Sequence, residues 1–158
     1  MNSISDSGLL ARHTSAGGTC YAFDPQGSTS RRLAANGSIL STSTFDAFGV
    51  TATNDTSGDP FGGFGAQYGY CSDFETGLQL LGMRYYDTMT GRFVTRDPIG
   101  YEGGVNLNAY GGNNPVGNVD PDGTASCCHE NGTPAHWFVH LGIEARSQYR
   151  AERQRIAT

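Results

Sequence analysis

The sequence contains no lysine, and this absence limits the partners that its surface can attract. All ten basic side chains are arginines and fifteen side chains are acidic, which gives a formal net charge of −5. Binding to nucleic acid needs clustered positive charge, so no nucleic-acid partner is expected. A membrane span is not expected either, because no segment approaches the ~20 consecutive apolar residues that cross a bilayer.

Aliphatic side chains are also scarce. Leu, Ile and Val together account for 20 of the 158 residues, whereas eight Tyr, eight Phe and one Trp supply much of what can be buried. The core is therefore expected to rely on aromatic rings. The 23 glycines follow no collagen period and alternate with Tyr, Phe and Thr, which is typical of short strands and tight turns. We predict a mainly β fold built as one folding unit.

No cofactor is predicted from the cysteines and histidines. The four cysteines lack the Cys-x-x-Cys spacing of zinc ligands, so buried or free thiols are favoured, with disulfides as the alternative in an oxidising compartment. His136 and His140 have the i, i+4 spacing of two ligands on a helix, but no third ligand is fixed by spacing. The cysteines are Cys20, Cys71, Cys127 and Cys128.

A five-residue unit recurs early in the chain: an aromatic residue, Asp, two residues, then Gly. Residues 23–27 and 45–49 are two copies at a 22-residue step, and Asn36-Gly37 lies between them. Asn-Gly readily forms type I′ turns, so each period is predicted to be one hairpin. Asx-type turns are also predicted at residues 73–77 and 87–91, with one strand over Leu78–Tyr86 between them. The predicted turn positions are Asp24, Gly27, Asn36, Gly37, Asp46, Gly49, Asp87, Gly91, Gly100 and Gly123.

The last part of the chain has a helical pattern. Thr133 and Pro134 suit the N-cap and first position of a helix, which is predicted to run to about Arg155. Three large apolar residues follow at multiples of four and are expected to dock the helix on the β core or on a neighbouring subunit. These residues are Trp137, Leu141 and Tyr149.

Two Asp-Pro-x-Gly tetrapeptides, at residues 97–100 and 120–123, lie 23 residues apart. Two carboxylates held close together share a proton, so one can act as base and the other as acid toward water attacking a peptide carbonyl. Asp97 and Asp120 are thus candidate catalytic residues. A purely structural interpretation stays open, because Asp-Pro initiates turns and the chain also contains Asp24-Pro25 and Asp59-Pro60.

Three blocks, FDPQGSTSRRLAANGSILSTSTFDAFG, YYDTMTGRFVTRDPIG and NLNAYGGNNPVGNVDPDG, resemble the C-terminal end of the Rhs/YD-repeat family, in particular its Rhs repeat-associated core. The resemblance covers about Gly18 to Gly123. It implies a β-hairpin strip that, at full length, forms a hollow shell around a C-terminal toxin, with the core plugging one end. It further implies a bacterial protein, secreted or at the cell surface, in which Asp97 and Asp120 promote self-cleavage within Gly123, Thr124 and Ala125.

Four segments follow from these observations: a lead-in (1–18), YD-type hairpin repeats (19–60), an Rhs-associated core (61–123) and a variable tail with a short α-helix (124–158). The favoured function is structural, either capping a YD-repeat shell or self-assembly through open β edges into oligomers or filaments. One alternative is an aspartyl autoprotease that acts once on its own chain. Another is a short toxic or metal-binding tail. The expected partners are further copies of the chain or the remaining shell.

Overall fold

The computed structural model describes residues 2–5, 8–15, 17–55, 57–124 and 127–128, with side chains between residues 10 and 124 of these ranges. Short antiparallel strands make up the fold, which confirms the mainly β prediction. Six of them form one meander in chain order: β1 (Asn2–Ser5), β2 (Gly8–Thr14), β3 (Gly17–Phe23), β4 (Thr29–Ala34), β5 (Ile39–Phe45) and β6 (Thr51–Thr53).

A second, smaller sheet has the strand order β10-β9-β8-β7. Its strands are β7 (Cys71–Ser72), β8 (Gln79–Leu81), β9 (Arg84–Asp87) and β10 (Arg92–Phe93), and a separate pair joins β11 (Asn118–Val119) to β12 (Cys127–Cys128). Single turns of 3-10 helix span Ala66–Tyr68, Gly100–Gly103 and Gly111–Asn113. Among the residues described, no helix has the length and apolar character needed to cross a membrane.

The two copies of the 22-residue unit form the same turn. Asp24 Oδ1 accepts hydrogen bonds from Gln26 N and Ser28 N, both at 2.9 Å. Asp46 Oδ1 accepts the equivalent bonds from Phe48 N at 2.9 Å and Val50 N at 2.8 Å. Each turn closes with a glycine at positive φ, 76° for Gly27 and 92° for Gly49. The repeat in the sequence is therefore a repeat of one hydrogen-bonded corner.

The type I′ turn predicted at Asn36-Gly37 is wrong. Only Gly37 has positive φ, at 84°, because Asn113 is the sole non-glycine residue with positive φ in the described part of the chain. Gly37 N donates to Ala34 O at 2.9 Å, and Asn36 Oδ1 accepts a bond from Ser38 N at 3.0 Å. The side-chain acceptor thus favours a three-residue loop that ends in a left-handed glycine, one of the common hairpin connections.

The single strand predicted over Leu78–Tyr86 is also wrong, because the chain reverses inside it. Gly82 has a φ of 53° and separates β8 from β9, which pair with Leu81 opposite Arg84. A glycine tolerates this left-handed conformation without steric cost. The reversal places Arg84 beside Asp120, at the candidate site.

Aromatic rings fill the core, as the scarcity of aliphatic residues predicted. The main cluster combines six aromatic rings with Leu81 and Val119. Neighbouring rings meet in edge-on and tilted arrangements, such as Tyr86 and Tyr110 with centroids 4.7 Å apart. Its aromatic members are Phe64, Tyr68, Tyr70, Tyr86, Phe93 and Tyr110.

The helix predicted from Pro134 to Arg155 lies outside the described residues, and so do its docking residues Trp137, Leu141 and Tyr149. The side chains of His136, His140 and the adjacent pair of cysteines lie outside them as well. Cys20 and Cys71, whose side chains are described, form no disulfide. Within the same residues no three His, Cys, Asp or Glu side chains are grouped so as to hold a metal ion.

Candidate functional site

Arg84 brings Asp97 and Asp120 together, the first residues of two Asp-Pro-x-Gly motifs. Its Nη2 lies 2.9 Å from Asp97 Oδ2 and 3.1 Å from Asp120 Oδ2, so the two carboxylate oxygens are no farther apart than the sum of these distances. The three side chains are only 3, 7 and 2% exposed, in that order. The guanidinium also stacks on Phe93, with its central carbon 3.6 Å from the ring centroid. An ion cluster is therefore buried at the meeting point of β9 and the two motifs.

The second motif is held against the turn between β8 and β9. Met83 N donates to Asp122 O at 2.9 Å. A side chain on Gly82 would overlap the Asp122 carbonyl, and one on Gly123 would overlap Leu81 O. Two glycines at positive φ thus allow the backbones to cross at close range. This crossing places Asp120 beside Arg84 although 36 residues separate them.

The peptide bond between Gly123 and Thr124 is held from both ends. Its carbonyl oxygen accepts a hydrogen bond from Arg84 Nε. Its amide nitrogen donates to Asp120 Oδ1 at 3.0 Å and to Asp122 Oδ1 at 3.2 Å. A cation therefore faces the oxygen that would gain negative charge if water attacked this bond, and a carboxyl group faces the nitrogen that would leave.

Asp97 and Thr124 line the same cavity, which has a volume of about 210 Å³. The cavity is lined by Arg84, Asp97, Asp120 and Thr124 together with residues of the glycine- and asparagine-rich loops. A methyl group added to Gly103 would lie 2.7 Å from Asp97 Oδ2 and 3.0 Å from Thr124 O, so these two oxygens are no farther apart than the sum of the two distances. A water molecule occupies roughly 30 Å³ in the liquid, so the cavity has room for several.

Burial raises the pKa of Asp120 to about 7, assisted by a hydrogen bond and the negative charge of Asp122 and opposed by Arg84. At neutral pH this carboxyl group therefore exists in both the protonated and the ionised form. A single buried group that can donate or accept a proton at neutral pH suits acid-base chemistry.

Tyr70 fixes the backbone at the start of the second motif. Its hydroxyl accepts a hydrogen bond from Asp120 N at 2.9 Å and lies 3.0 Å from Tyr110 Oη. Replacing Tyr70 by Phe leaves this buried N–H unpaired, so we expect a loss of about 1–3 kcal/mol in the free energy of unfolding, measured in urea. Tyr101→Phe is the control, because Tyr101 is 78% exposed, and its cost should be near zero. Equal costs would contradict this role for Tyr70.

The chain contains a second buried cluster at another Asp-Pro-x-Gly motif, residues 59–62. Arg32 lies 2.7 Å from Asp55 Oδ2 and 3.0 Å from Asp59 Oδ2, and Arg12 lies 3.1 Å from Asp59 Oδ1. Two arginines thus balance two carboxylates. The site at Arg84 is different, because one arginine faces Asp97, Asp120 and the neighbouring Asp122. The excess of acidic groups over arginines marks the cluster at Arg84 as a candidate reactive site, whereas the balanced charges at Arg32 are typical of a structural cluster.

The predicted turn residues lie at hairpin and loop corners. Asp87 Oδ1 accepts a bond from Met89 N at 2.9 Å, and Asp97 Oδ1 accepts one from Ile99 N at 3.0 Å. The glycines that follow have positive φ, as do the other predicted turn glycines. Of the predicted cleavage region, Gly123 and Thr124 lie at the cluster, and Ala125 lies outside the described residues.

Sequence reasoning missed two parts of the site. Arg84 was not singled out, because nothing in its local sequence marks it as the partner of distant carboxylates. Asp122 carried a signal that could have been used: of the four Asp-Pro-x-Gly motifs, only the last has an acidic residue at its third position, against Gln26, Phe61 and Ile99 in the others.

Comparison with known proteins links the chain to toxins. The tRNA3(Ser)-specific nuclease WapA of Bacillus spizizenii is 33% identical over 152 residues, which is 91% of this chain and 6% of that protein. The double-stranded DNA deaminase toxin A of Burkholderia cenocepacia is 48% identical over 62 residues, 39% of this chain and 4% of that protein. The chain is a relative of toxin proteins.

A solved structure shows the same fold. The crystal structure of TcdB2-TccC3 without its hypervariable C-terminal region matches with a TM-score of 0.56 and 29% identity, over 67% of this chain and 5% of that one. TcdB2-TccC3 is an Rhs-containing Tc toxin, so the similarity is consistent with an Rhs-associated segment. No family model matches the chain. The chain spans only a small fraction of the length of these proteins.

Proposed function

We propose that this chain is the core segment that plugs one end of a Rhs/YD-repeat toxin shell. It hydrolyses its own backbone once, just after the Asp-Pro-x-Gly motif at residues 120–123. The observation that carries this proposal is the Gly123–Thr124 peptide bond, which Arg84 contacts at its oxygen and Asp120 contacts at its nitrogen. The proposed cut coincides with the proposed boundary between the core (61–123) and the tail (124–158).

The cut is a hydrolysis to which each side chain contributes one step. Asp97 takes a proton from a water molecule in the cavity as the water oxygen bonds to the carbonyl carbon of Gly123. Arg84 stabilises the negative charge that develops on Gly123 O. Asp120, protonated, gives its proton to Thr124 N as the C–N bond breaks. The products are a carboxylate at Gly123 and an amine at Thr124, and the reaction stops there because the chain is its own substrate.

Cleavage one bond later, between Thr124 and Ala125, is the alternative position of the cut. Thr124 O is a neighbour of Asp97 Oδ2 across the cavity, so this carbonyl is within reach of a water that Asp97 activates. The two sites differ by one threonine in product mass. In either case the tail is released from the core, inside the shell that a toxin-delivering bacterium secretes or displays on its surface.

Intact-mass spectrometry with size-exclusion light scattering on the full chain tests the proposal. The wild type is expected to yield two products cut after Gly123 or Thr124. Asp97→Asn and Asp120→Asn are each expected to slow cleavage by about 10²–10⁴-fold, because each removes one partner in proton transfer. Asp24→Asn is the matched control, since Asp24 also begins an Asp-Pro-x-Gly turn but lies outside the cavity lining, and it should cleave like the wild type.

A wild type that stays at full length, or an Asp97→Asn chain that cleaves at the normal rate, would overturn the proposal of self-cleavage. The first result would leave a structural module as the second candidate. It is favoured by the edge of the meander at β6, which pairs only with β5 among the described strands and whose residues 51–53 are all exposed. Exposed edges accept further strands, from the remaining shell or from other copies of the chain. Uncut chain that elutes as large oligomers in the same run would support it.

A further inference from the structure

We infer that Asp122 is the proton partner of Asp120 and a positioning residue for self-cleavage, so that the carboxyl groups that share a proton are Asp120 and Asp122 rather than Asp97 and Asp120. This inference rests on the proposed function, which it deepens by assigning the source of the acid. Asp122 is a third acidic residue, beside the candidate catalytic pair Asp97 and Asp120.

The two edges of the Asp120 carboxyl group have different surroundings. Oδ2 faces the guanidinium of Arg84, whose Nη2 it shares with Asp97 Oδ2, so a cation already compensates the charge between the two motif aspartates. Oδ1 faces Thr124 N, which donates to Asp122 Oδ1 as well. Asp122 therefore approaches Asp120 on the edge where no side chain described between residues 10 and 124 supplies a cation, and this is where a proton is needed to keep two carboxyl groups together.

The charged and titratable groups around Asp120 support this assignment. Within the described residues, Arg84 on β9 is the cation that contacts it, Asp97 approaches from the first motif, and the neutral hydroxyl of Tyr70 lies at its backbone N–H. Tyr110 Oη pairs with Tyr70. Burial comes first among the causes that raise the pKa of Asp120 to about 7, and the hydrogen bond that protonated Asp120 donates to Asp122 comes second.

Asp122 also distinguishes this motif from the others in the chain. The equivalent position is Gln26, Phe61 or Ile99 in the other three Asp-Pro-x-Gly motifs. The turn itself therefore does not require an acid there. Asn at this position would keep an oxygen to accept the Thr124 N–H bond but would lose the negative charge, so Asp122→Asn removes the proton partner and leaves the turn acceptor in place.

The test is the rate of self-cleavage of the full chain from pH 5 to pH 8, for the wild type and for Asp122→Asn. The wild-type rate is expected to decline above about pH 7, where Asp120 ionises. In Asp122→Asn the decline should begin at lower pH. If the pKa falls by one unit, the rate drops about fivefold relative to wild type at pH 7 and about ninefold at pH 8, with little change at pH 5. Asp122→Glu should restore part of the activity at pH 8.

A purely structural role gives a different result. If Asp122 only accepted the hydrogen bond of the turn, Asp122→Asn would leave the rate unchanged or lower it by the same factor at every pH. Either result would overturn the inference while the proposed function stood. A wild type that remains intact at every pH would overturn the proposed function instead.

A second measurement tests the proton pair without cleavage. In an Asp97→Asn chain the free energy of unfolding is measured in urea from pH 4 to pH 8. The folded pKa of Asp120 is above its ordinary value of 3.8, so its contribution to stability is complete below about pH 4 and is lost as the pH rises through about 7. Adding Asp122→Asn is expected to flatten this decline. An unchanged decline would overturn the inference, whether or not the wild type cleaves.

Discussion

Replacing Arg84 by methionine is expected to cost about 3–5 kcal/mol in the free energy of unfolding at pH 7 and to stop self-cleavage. The substitution leaves Asp97 and Asp120 buried without their shared cation, and breaking a buried ion pair from one side is costly because an uncompensated charge remains. It also removes the donor to Gly123 O. Urea unfolding and intact mass measure the two effects.

The loss should be smaller at pH 5 than at pH 7. Once the cation is gone, the buried carboxyl groups bind protons more tightly, and protonated groups need no counter-charge. Arg92→Met is the control, because Arg92 is exposed on β10, and a change within about 0.5 kcal/mol is expected there. Arg84→Lys should keep much of the stability and lose cleavage, because an ammonium group lacks the donor geometry that reaches both carboxylates and the carbonyl. An Arg84→Met chain as stable as wild type at pH 7 would contradict the buried-charge account.

Gly82→Ala is expected to cost about 2–5 kcal/mol. The residue has a φ of 53°, which costs an alanine roughly 1–2 kcal/mol, and its new methyl group would overlap the backbone carbonyl of Asp122. Displacing a packed backbone costs about 1–3 kcal/mol more. Because the second motif must move away from the turn between β8 and β9, cleavage should slow as well.

Gly77→Ala is the matched control for that variant. Gly77 has a φ of 73° and nothing within 4 Å of the position of a new methyl group, so it reports the conformational cost alone. The difference between the two variants, measured by urea unfolding, isolates the contact with Asp122. Equal losses would show that the crossing of the two backbones can relax and that it does not fix the position of the second motif.

The sequence predicts the corners of this fold better than the site that they position. Each Asp-turn depends on hydrogen bonds that an Asp carboxylate accepts from backbone nitrogen atoms two or four residues later, so it can be recognised locally, as at Asp24 and Asp46. The Asn36-Gly37 turn was predicted as the wrong type because the same side-chain acceptor competes there with the type I′ conformation. The break at Gly82 was missed because large apolar residues continue on both sides of it.

The contacts of Arg84 could not be derived from local pattern. Its partners Asp97 and Asp120 are remote in the chain, and only the crossing at Gly82 and Gly123 brings them to one guanidinium. The effect that we infer for Asp122 depends in turn on the burial of its partner Asp120, since an exposed acid in a turn has little effect on its neighbours. Family resemblance indicated two aspartates, and the folded geometry adds the cation and the third acid.

The repeated corners have a consequence for how such a protein can lengthen over evolutionary time. In each, the aspartate Oδ1 accepts hydrogen bonds from backbone nitrogen atoms two and four residues ahead, within residues 24–28 and 46–50. A duplicated stretch of 22 residues would therefore carry these side-chain hydrogen bonds of its own corner. Tandem duplication could extend the meander by whole hairpins without requiring compensating substitutions at the proposed cleavage site.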